Sequence, residues 1–346
     1  MPPAIERNAA RALGAVGLLR PALALADRWR LARRDGRPAF PYVLRRRNSP
    51  YQILMYHRAR DPRGPRLGAG DSAPFESQME ILARFWQVLP LEELVVRAHA
   101  DDVPPRAVAI TFDDGYRDNY EVAYPALRRF NLPATIFLAT GAIETGIRLW
   151  HDRVFDAFAA TTRPEFVVRE ERLPLTTALE KRRSLRRYLD RLRALPPVDR
   201  DALIDETLPA LGSEALAAGP DPMLGWEQIR EMARGRITFG AHTVHHPILT
   251  RVPLAEAARE IGESKDAIER ALGTQVRLFA YPNGSAGDFN ADIQRAVQER
   301  GFRAAVTTMW GSNDATTDPY ALRRVGLWTA DAASSVVRLG WYRFTS

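Results

Sequence analysis

Residues 107–115 read AVAITFDDG, a β-rich apolar run that ends in two adjacent acids and a glycine. The run predicts a buried strand, and the chain leaves that strand at Asp113 and Asp114. Gly115 permits the tight turn that would follow. Adjacent carboxylates repel, so a site that holds both usually contains a cation or shifts one pKa. The alternative is a helix N-cap, but a cap accounts for only one of the two acids.

Strand-like and helix-like segments alternate on both sides of this run. Strand patterns lie at 51–57, 134–140, 237–242, 276–281, 303–308 and 322–327; helical patterns lie at 75–86, 91–98, 119–130, 226–234, 254–272 and 291–300. Strands separated by helices imply parallel β-α units. The pattern predicts an α/β fold, and by itself it allows either a closed barrel or an open sheet.

The stretch from about 150 to 222 interrupts this alternation with helical, strongly charged sequence such as 179–195. We interpret it as a helical insertion between two elements of the main fold. A connection of this length in a compact domain needs its own structure or a function. Two interpretations stay open: a cover that shapes substrate binding, or a solvated helical flap.

Composition narrows the function classes. The 346 residues include no cysteine, which excludes disulfides, thiolate zinc sites and cysteine nucleophiles. The net charge is +7, but the basic residues are spread along the chain and form none of the usual nucleic-acid-binding motifs. We therefore expect no nucleic-acid partner.

Residues 1–47 form a basic, amphipathic extension. Its apolar run at 13–19 and its small residues at 22–26 resemble a signal peptide, but Arg20 and Pro21 divide the apolar part. An amphipathic helix is favoured, either lying on an anionic membrane face or docked on the protein body. We expect a cytoplasmic or membrane-peripheral location, with secretion left open.

Residues 242–246 read HTVHH and hold three of the six histidines. In a helical turn, the spacing of His242 and His246 puts both rings on one face, where they could bind one metal ion. Thr243 stands where zinc proteases carry a glutamate, so a base must come from elsewhere. His245 would point away, towards an outer layer of the site or the surface. Two imidazoles and a carboxylate suit Zn²⁺ and leave positions for water and substrate.

Together, TFDDG at 111–115, H-T-x-x-H at 242–246 and FAYPNG at 279–284 resemble the polysaccharide deacetylases of carbohydrate esterase family 4, or NodB-homology domain. The resemblance covers about 51–327, with 150–222 poorly matched, and assigns 48–346 to the deacetylase domain. It implies a distorted (β/α)7-type barrel and a hydrolase that removes N-acetyl groups from a polysaccharide or glycan precursor and releases acetate.

The resemblance also implies roles for single residues. Asp113 matches the catalytic base. Asp114, His242 and His246 match the ligands of one divalent cation, expected to be Zn²⁺ with Co²⁺ or Ni²⁺ as alternatives. Tyr281, Pro282 and Asn283 match a groove segment in which the Asn283 backbone N–H holds the oxyanion.

Two departures from the family pattern matter. Ala280 stands where the groove motif usually carries an arginine that orients the base. Arg277, Arg323 and Arg324 are the candidates to replace it, and we predict Arg324.

The second departure is the missing C-terminal Leu-x-His that usually supplies the general acid, since no histidine follows His246. LMYH at 54–57 resembles a rearranged subgroup that includes the poly-N-acetylglucosamine deacetylases, in which the acid comes from the N-terminal end of the domain. We predict His57 as the acid; the alternative is a strand-end histidine bonded to its loop.

The motifs leave rival functions open. An O-acetyl esterase or another amide hydrolase could use the same residues, and so could an inactive carbohydrate-binding protein. The expected partner is an N-acetylated glycan.

Overall fold

The computed structural model describes residues 49–59, 75–212 and 223–327. The extension predicted at 1–47 lies outside these ranges. None of the helices within them combines the length and the apolar character that crossing a bilayer requires.

A sheet of parallel strands forms the centre of the molecule. Its main strands follow one another in the order β1, β3, β4, β7, β8, β9 and β10, and the short β2 pairs with the start of β3. The bounds are β1 Gln52–Tyr56, β2 Gln87–Val88, β3 Ala107–Phe112, β4 Ala134–Leu138, β7 Ile237–Ala241, β8 Leu278–Ala280, β9 Ala304–Trp310 and β10 Leu322–Arg324. Every predicted strand is present, although some are shorter than their apolar runs.

The last strand returns to the first. The Met55 backbone N–H donates to the Val325 carbonyl at 3.0 Å, and the Val325 N–H donates to the Ile53 carbonyl at 2.8 Å. These bonds nearly close the sheet, so the predicted distorted (β/α) barrel is confirmed over the alternative of an open sheet.

Helices cover the outside of the barrel because the strands are apolar on both faces. The helices are α1 Phe75–Phe85, α2 Leu91–His99, α3 Tyr124–Arg129 with a π-helical turn before it at Asn119–Ala123, α4 Trp150–Ala160, α5 Ala178–Arg193, α6 Pro197–Thr207, α7 Trp226–Ala233, α8 Leu254–Leu272 and α9 Ala291–Glu299. In α8, the buried residues Ala257, Ile261 and Ile268 form one apolar stripe, and the helix ends at Gly273 in a left-handed conformation.

The insertion has a core of its own. It contains α4, α5 and α6, as the charged helical sequence predicts, and also an antiparallel hairpin of β5 Glu165–Val168 and β6 Glu171–Pro174. Phe158, Phe166 and Tyr188 pack together in this core with ring centroids 5.2–5.9 Å apart. The hairpin was not anticipated, because each strand has only four residues and a weak alternation.

Candidate active site

The predicted site residues gather at the carboxyl edge of the barrel. Asp113 and Asp114 follow β3, and His242 follows β7; β4 lies between these two strands. Gly115 has φ +85°, and a Cβ there would lie 2.7 Å from the Leu138 side chain. The turn after the two acids therefore requires glycine, as expected.

Asp114, His242 and His246 surround one point. Oδ1 of Asp114 lies 3.4 Å from Nε2 of His242 and 3.4 Å from Nε2 of His246, and the three candidate ligand atoms all lie within 4.8 Å of one another. All three side chains are buried, and neither oxygen of Asp114 has a hydrogen-bond partner among the described residues. A buried carboxylate without donors is costly, and a cation at this point would satisfy it. The residues thus fit a divalent metal ion.

The protonation states of His246 and Asp114 also suit a metal. Burial lowers the pKa of His246 well below its ordinary value, which keeps that ring neutral. Burial opposes ionisation of Asp114, but the imidazoles of His151, His242 and His246 outweigh it and hold the pKa of the carboxyl well below its usual range. Metal ligands must be deprotonated, and both groups meet that condition at neutral pH.

His242 is oriented by the neighbouring strand. Its Nδ1 lies 2.7 Å from the Ala280 carbonyl and donates to it, so Nε2 faces Asp114. Burial lowers the pKa of His242, but the Asp114 and Asp113 carboxylates outweigh that effect and the pKa is raised. A backbone carbonyl that fixes the ring and its tautomer is the usual support of a metal-ligating histidine.

The loop 242–246 is not the helical turn assumed from its spacing. Thr243 has φ +66° and His246 has φ +55°, so the chain reverses through left-handed residues and brings the two rings together in another way. Such conformations are unfavourable for Thr and His, so surrounding contacts must hold them.

Glu260 of α8 provides those contacts. Its Oε2 accepts the backbone N–H groups of Val244 at 2.8 Å and His245 at 2.9 Å, and its Oε1 lies 2.7 Å from Nδ1 of His245. The His245 side chain is 70% exposed, in accord with its predicted outward direction. The sequence analysis missed Glu260. Its position beside the apolar stripe of α8 could have indicated a buried acid, which needs hydrogen-bond donors.

An alanine at position 260 is expected to destabilise the protein by about 1–3 kcal/mol, because two backbone donors lose their acceptor. Metal affinity should fall about 10-fold, since the loop carrying His246 loosens. Denaturant unfolding and a metal titration measure the two effects. Glu263→Ala, at an exposed position of the same helix, is the matched control. Equal stability of the two variants would contradict this account of the loop.

Asp113 forms a bidentate salt bridge with Arg324. Nη1 and Nη2 of the arginine donate to the two carboxylate oxygens at 2.7 Å and 2.6 Å, and Arg324 is 0% exposed. Its Nε donates to the Thr307 carbonyl at 2.7 Å, which fixes the guanidinium. Burial would raise the pKa of Asp113, but the charge and hydrogen bonds of Arg324 outweigh it and the pKa is lowered. Asp113 is therefore ionised and held in one orientation.

Of the three candidate arginines, the structure brings Arg324 to Asp113. Arg277 instead pairs with Glu92 of α2 at 2.9 Å, and the exposed Arg323 side chain lies beside Gly311.

His57 lies beside the same carboxylate. Its Nε2 is 3.9 Å from Oδ2 of Asp113, and its side chain is 42% exposed. Partial burial lowers the pKa of His57 more than the carboxylates of Asp114 and Asp113 raise it. The Asn119 side chain donates to the backbone carbonyl of His57 and not to its imidazole.

The segment 279–284 is only partly available to a substrate. The Tyr281 ring is buried against Phe289, and its hydroxyl donates to the Tyr320 carbonyl at 2.9 Å. The Tyr281 side chain therefore supports the segment from inside, and its role towards the substrate stays a prediction. Pro282 is buried as well. Asn283 has φ +59°, and its buried Nδ2 has no hydrogen-bond partner among the described residues.

The sequence analysis also missed His151. This residue of α4 belongs to the insertion, yet its Nε2 lies 3.6 Å from Oδ2 of Asp114 and 3.0 Å from the Tyr116 hydroxyl. No spacing to another motif pointed to it, and the family resemblance is weakest in that part of the chain.

Comparison with known proteins adds the family. Residues 100–305, more than half of the chain, match the family model of polysaccharide deacetylases. The chain is 24% identical over 275 residues to YxkH of Bacillus subtilis, a protein assigned to the polysaccharide deacetylases; the match covers 79% of this chain and 70% of that protein. It is 40% identical over 73 residues to the poly-β-1,6-N-acetyl-D-glucosamine N-deacetylase of Staphylococcus aureus, a match that covers 20% of this chain and 24% of that enzyme.

Solved structures share the fold. The deacetylase PplD of Streptococcus pyogenes, in complex with acetate, has a TM-score of 0.55 at 21% identity, over 81% of this chain and 92% of that one. IcaB from Ammonifex degensii has a TM-score of 0.53 at 18% identity, over 84% and 97%. The barrel, the matched residues and these relatives agree: the chain belongs to the polysaccharide deacetylase family.

Proposed function

We propose that the protein is a metal-dependent hydrolase that removes N-acetyl groups from a carbohydrate and releases acetate. The observation that carries the proposal is the buried cluster of Asp114, His242 and His246 beside the Asp113–Arg324 pair. Membership of the family supports deacetylation of a carbohydrate in general. The N-acetylated substrate is our inference.

Asp114, His242 and His246 would hold one divalent cation. Their donor set of two imidazoles and one carboxylate favours Zn²⁺, and Co²⁺ or Ni²⁺ also suits it. When bound, the ion supplies Lewis acidity for the acetyl carbonyl and for the attacking water.

Asp113 is the proposed base. Arg324 donates hydrogen bonds to both oxygens of the Asp113 carboxylate, so this carboxylate is ionised and its orientation is fixed. In that orientation Asp113 would take a proton from the attacking water. The water oxygen forms a new bond to the acetyl carbon, and the proton passes to an oxygen of Asp113. The backbone N–H of Asn283 is the proposed donor to the developing oxyanion.

His57 is the proposed acid. The bond between the acetyl carbon and the sugar nitrogen breaks, and the leaving nitrogen takes a proton from the imidazole. The position of His57 supports this role, because the ring lies near Asp113 and is partly exposed to solvent. The products are acetate and a free amino sugar.

A substrate panel with metal control tests the proposal. Acetate release would be measured from β-1,6-linked and β-1,4-linked N-acetylglucosamine oligomers and from O-acetylated sugars, with and without a chelator. We expect activity on the N-acetylated oligomers that chelation removes and that added Zn²⁺ or Co²⁺ restores. If acetate were released only from the O-acetylated sugars, the protein would be an esterase and not an amidase. Full activity in the chelated protein would refute metal dependence.

A further inference from the structure

His151 lies on the far side of the candidate metal carboxylate. The two ligand imidazoles face Oδ1 of Asp114, whereas Nε2 of His151 is 3.6 Å from Oδ2. The His151 side chain is 15% exposed, and its ring lies 5.0 Å from that of His246 between centroids. Helix α4 of the insertion thus places the His151 imidazole beside Oδ2 of Asp114, the oxygen that His242 and His246 do not face.

We propose that His151 is a positioning residue whose Nε2–H is shared between the Tyr116 hydroxyl oxygen, at 3.0 Å, and Oδ2 of Asp114, at 3.6 Å, so that the carboxylate keeps Oδ1 turned towards the metal. At 3.6 Å the contact is a charge–dipole interaction rather than a hydrogen bond. In a buried site of low effective dielectric such an interaction is stronger than it would be in water. The inference rests on the proposed metal-dependent function, although its test does not require turnover.

The neighbours of His151 determine which nitrogen carries the proton. Nε2 lies 3.0 Å from the Tyr116 hydroxyl. The phenol oxygen has lone pairs that can accept a hydrogen bond from a protonated Nε2, and a carboxylate oxygen can only accept. An unprotonated Nε2 would turn its lone pair towards the Asp114 carboxylate at 3.6 Å, so the proposal assigns the proton to Nε2.

The first turn of α4 is also held in place by charge. The Arg58 guanidinium lies over the Tyr116 ring, 3.6 Å from its centroid, and is 3.5 Å from Asp152. Arg58 follows β1 and Tyr116 follows β3, so both belong to the barrel, whereas Asp152 and His151 belong to the insertion. These contacts fix the start of the inserted unit to the active-site edge. The first turn of the insertion therefore lies against the candidate site.

Two substitutions of His151 distinguish the effect of losing its N–H donor from the effect of losing the volume of the ring. His151→Leu removes the donor, whereas His151→Gln carries an amide nitrogen at a similar distance from the backbone. The control is His99→Leu, which changes an exposed histidine on α2. Affinity for Zn²⁺ would be measured by competition with a chromophoric chelator, and the Co²⁺-loaded proteins would be compared by visible absorption.

We expect His151→Leu to bind Zn²⁺ about 10-fold more weakly, at the lower end of the range for residues that support a ligand, with a changed Co²⁺ spectrum. His151→Gln should stay within about 3-fold of the wild type, and His99→Leu should match it. Unchanged affinity and spectrum in His151→Leu would overturn the proposal. So would a glutamine variant as weak as the leucine variant, or a loss well beyond about 100-fold, which would indicate direct ligation.

If His151→Leu does not fold, Tyr116→Phe provides the second test, because it removes only the hydroxyl that holds Nε2. A loss of about 3-fold in Zn²⁺ affinity is expected, and no loss would count against the proposal. Both measurements use metal alone and do not depend on turnover. A protein that binds Zn²⁺ but deacetylates nothing would refute the proposed function, whereas the role of His151 would still be decided by the metal affinities of the variants.

Discussion

An Asp113→Asn variant is expected to deacetylate about 10²–10⁴-fold more slowly than the wild type, because an amide cannot accept the proton of the attacking water. Its affinity for Zn²⁺ should change by only a few-fold, since Asp114 and the two histidines are untouched. Steady-state acetate release and a metal titration on the same preparation separate the two effects.

The matched control for this variant is Asp292→Asn on the exposed face of α9. It makes the same chemical change away from the site and should leave kcat unaltered. If Asp113→Asn kept its activity within about 10-fold, another group would have to be the base. If it lost its metal, Asp113 would be a ligand rather than the base.

Replacing Arg324 with methionine is expected to lower the free energy of unfolding by about 3–5 kcal/mol, because a buried carboxylate loses its counter-charge. Arg324 is 0% exposed and makes two bonds to Asp113, so solvent screens little of this interaction. Denaturant unfolding measures the loss. Arg323→Met, at the exposed neighbouring position, should stay within about 0.5 kcal/mol of the wild type.

The Arg324→Met variant should also shift the pH dependence of activity. Without the arginine, burial raises the pKa of Asp113, so the carboxylate is protonated at a higher pH and the acid limb of the kcat profile moves upward in pH. Combining the change with Asp113→Asn removes the buried charge itself. The double variant should therefore be less destabilised than the sum of the two single variants. If the losses of unfolding free energy in the two single variants simply added up in the double variant, Asp113 and Arg324 would not be energetically coupled.

The predictions from sequence were most successful where a short apolar run fixed a strand and a polar residue followed it. The run at 107–112 is β3, and the acids after it reach the carboxyl edge of the barrel, where the end of β7 brings His242. Strand period and helix period are local properties, so a single sequence is enough to locate these elements and their ends.

The conformation of the histidine loop shows where local reasoning failed. A spacing of four predicted a helical turn, but Thr243 and His246 are left-handed and Glu260 of α8 holds the loop. The acid that stabilises this backbone lies outside the motif, on a separate helix. Spacing within the motif therefore could not reveal it.

The sequence by itself determined the strand ends, the acids and histidines that stand there, and the residue types that can bind a divalent ion. Only the tertiary structure decided that the sheet nearly closes, that Arg324 rather than Arg277 reaches Asp113, and that His151 of the insertion lies against Asp114. The reason is physical. Periodicity and turn chemistry act over a few residues, whereas barrel closure and the pairing of buried charges depend on contacts between segments far apart in the chain.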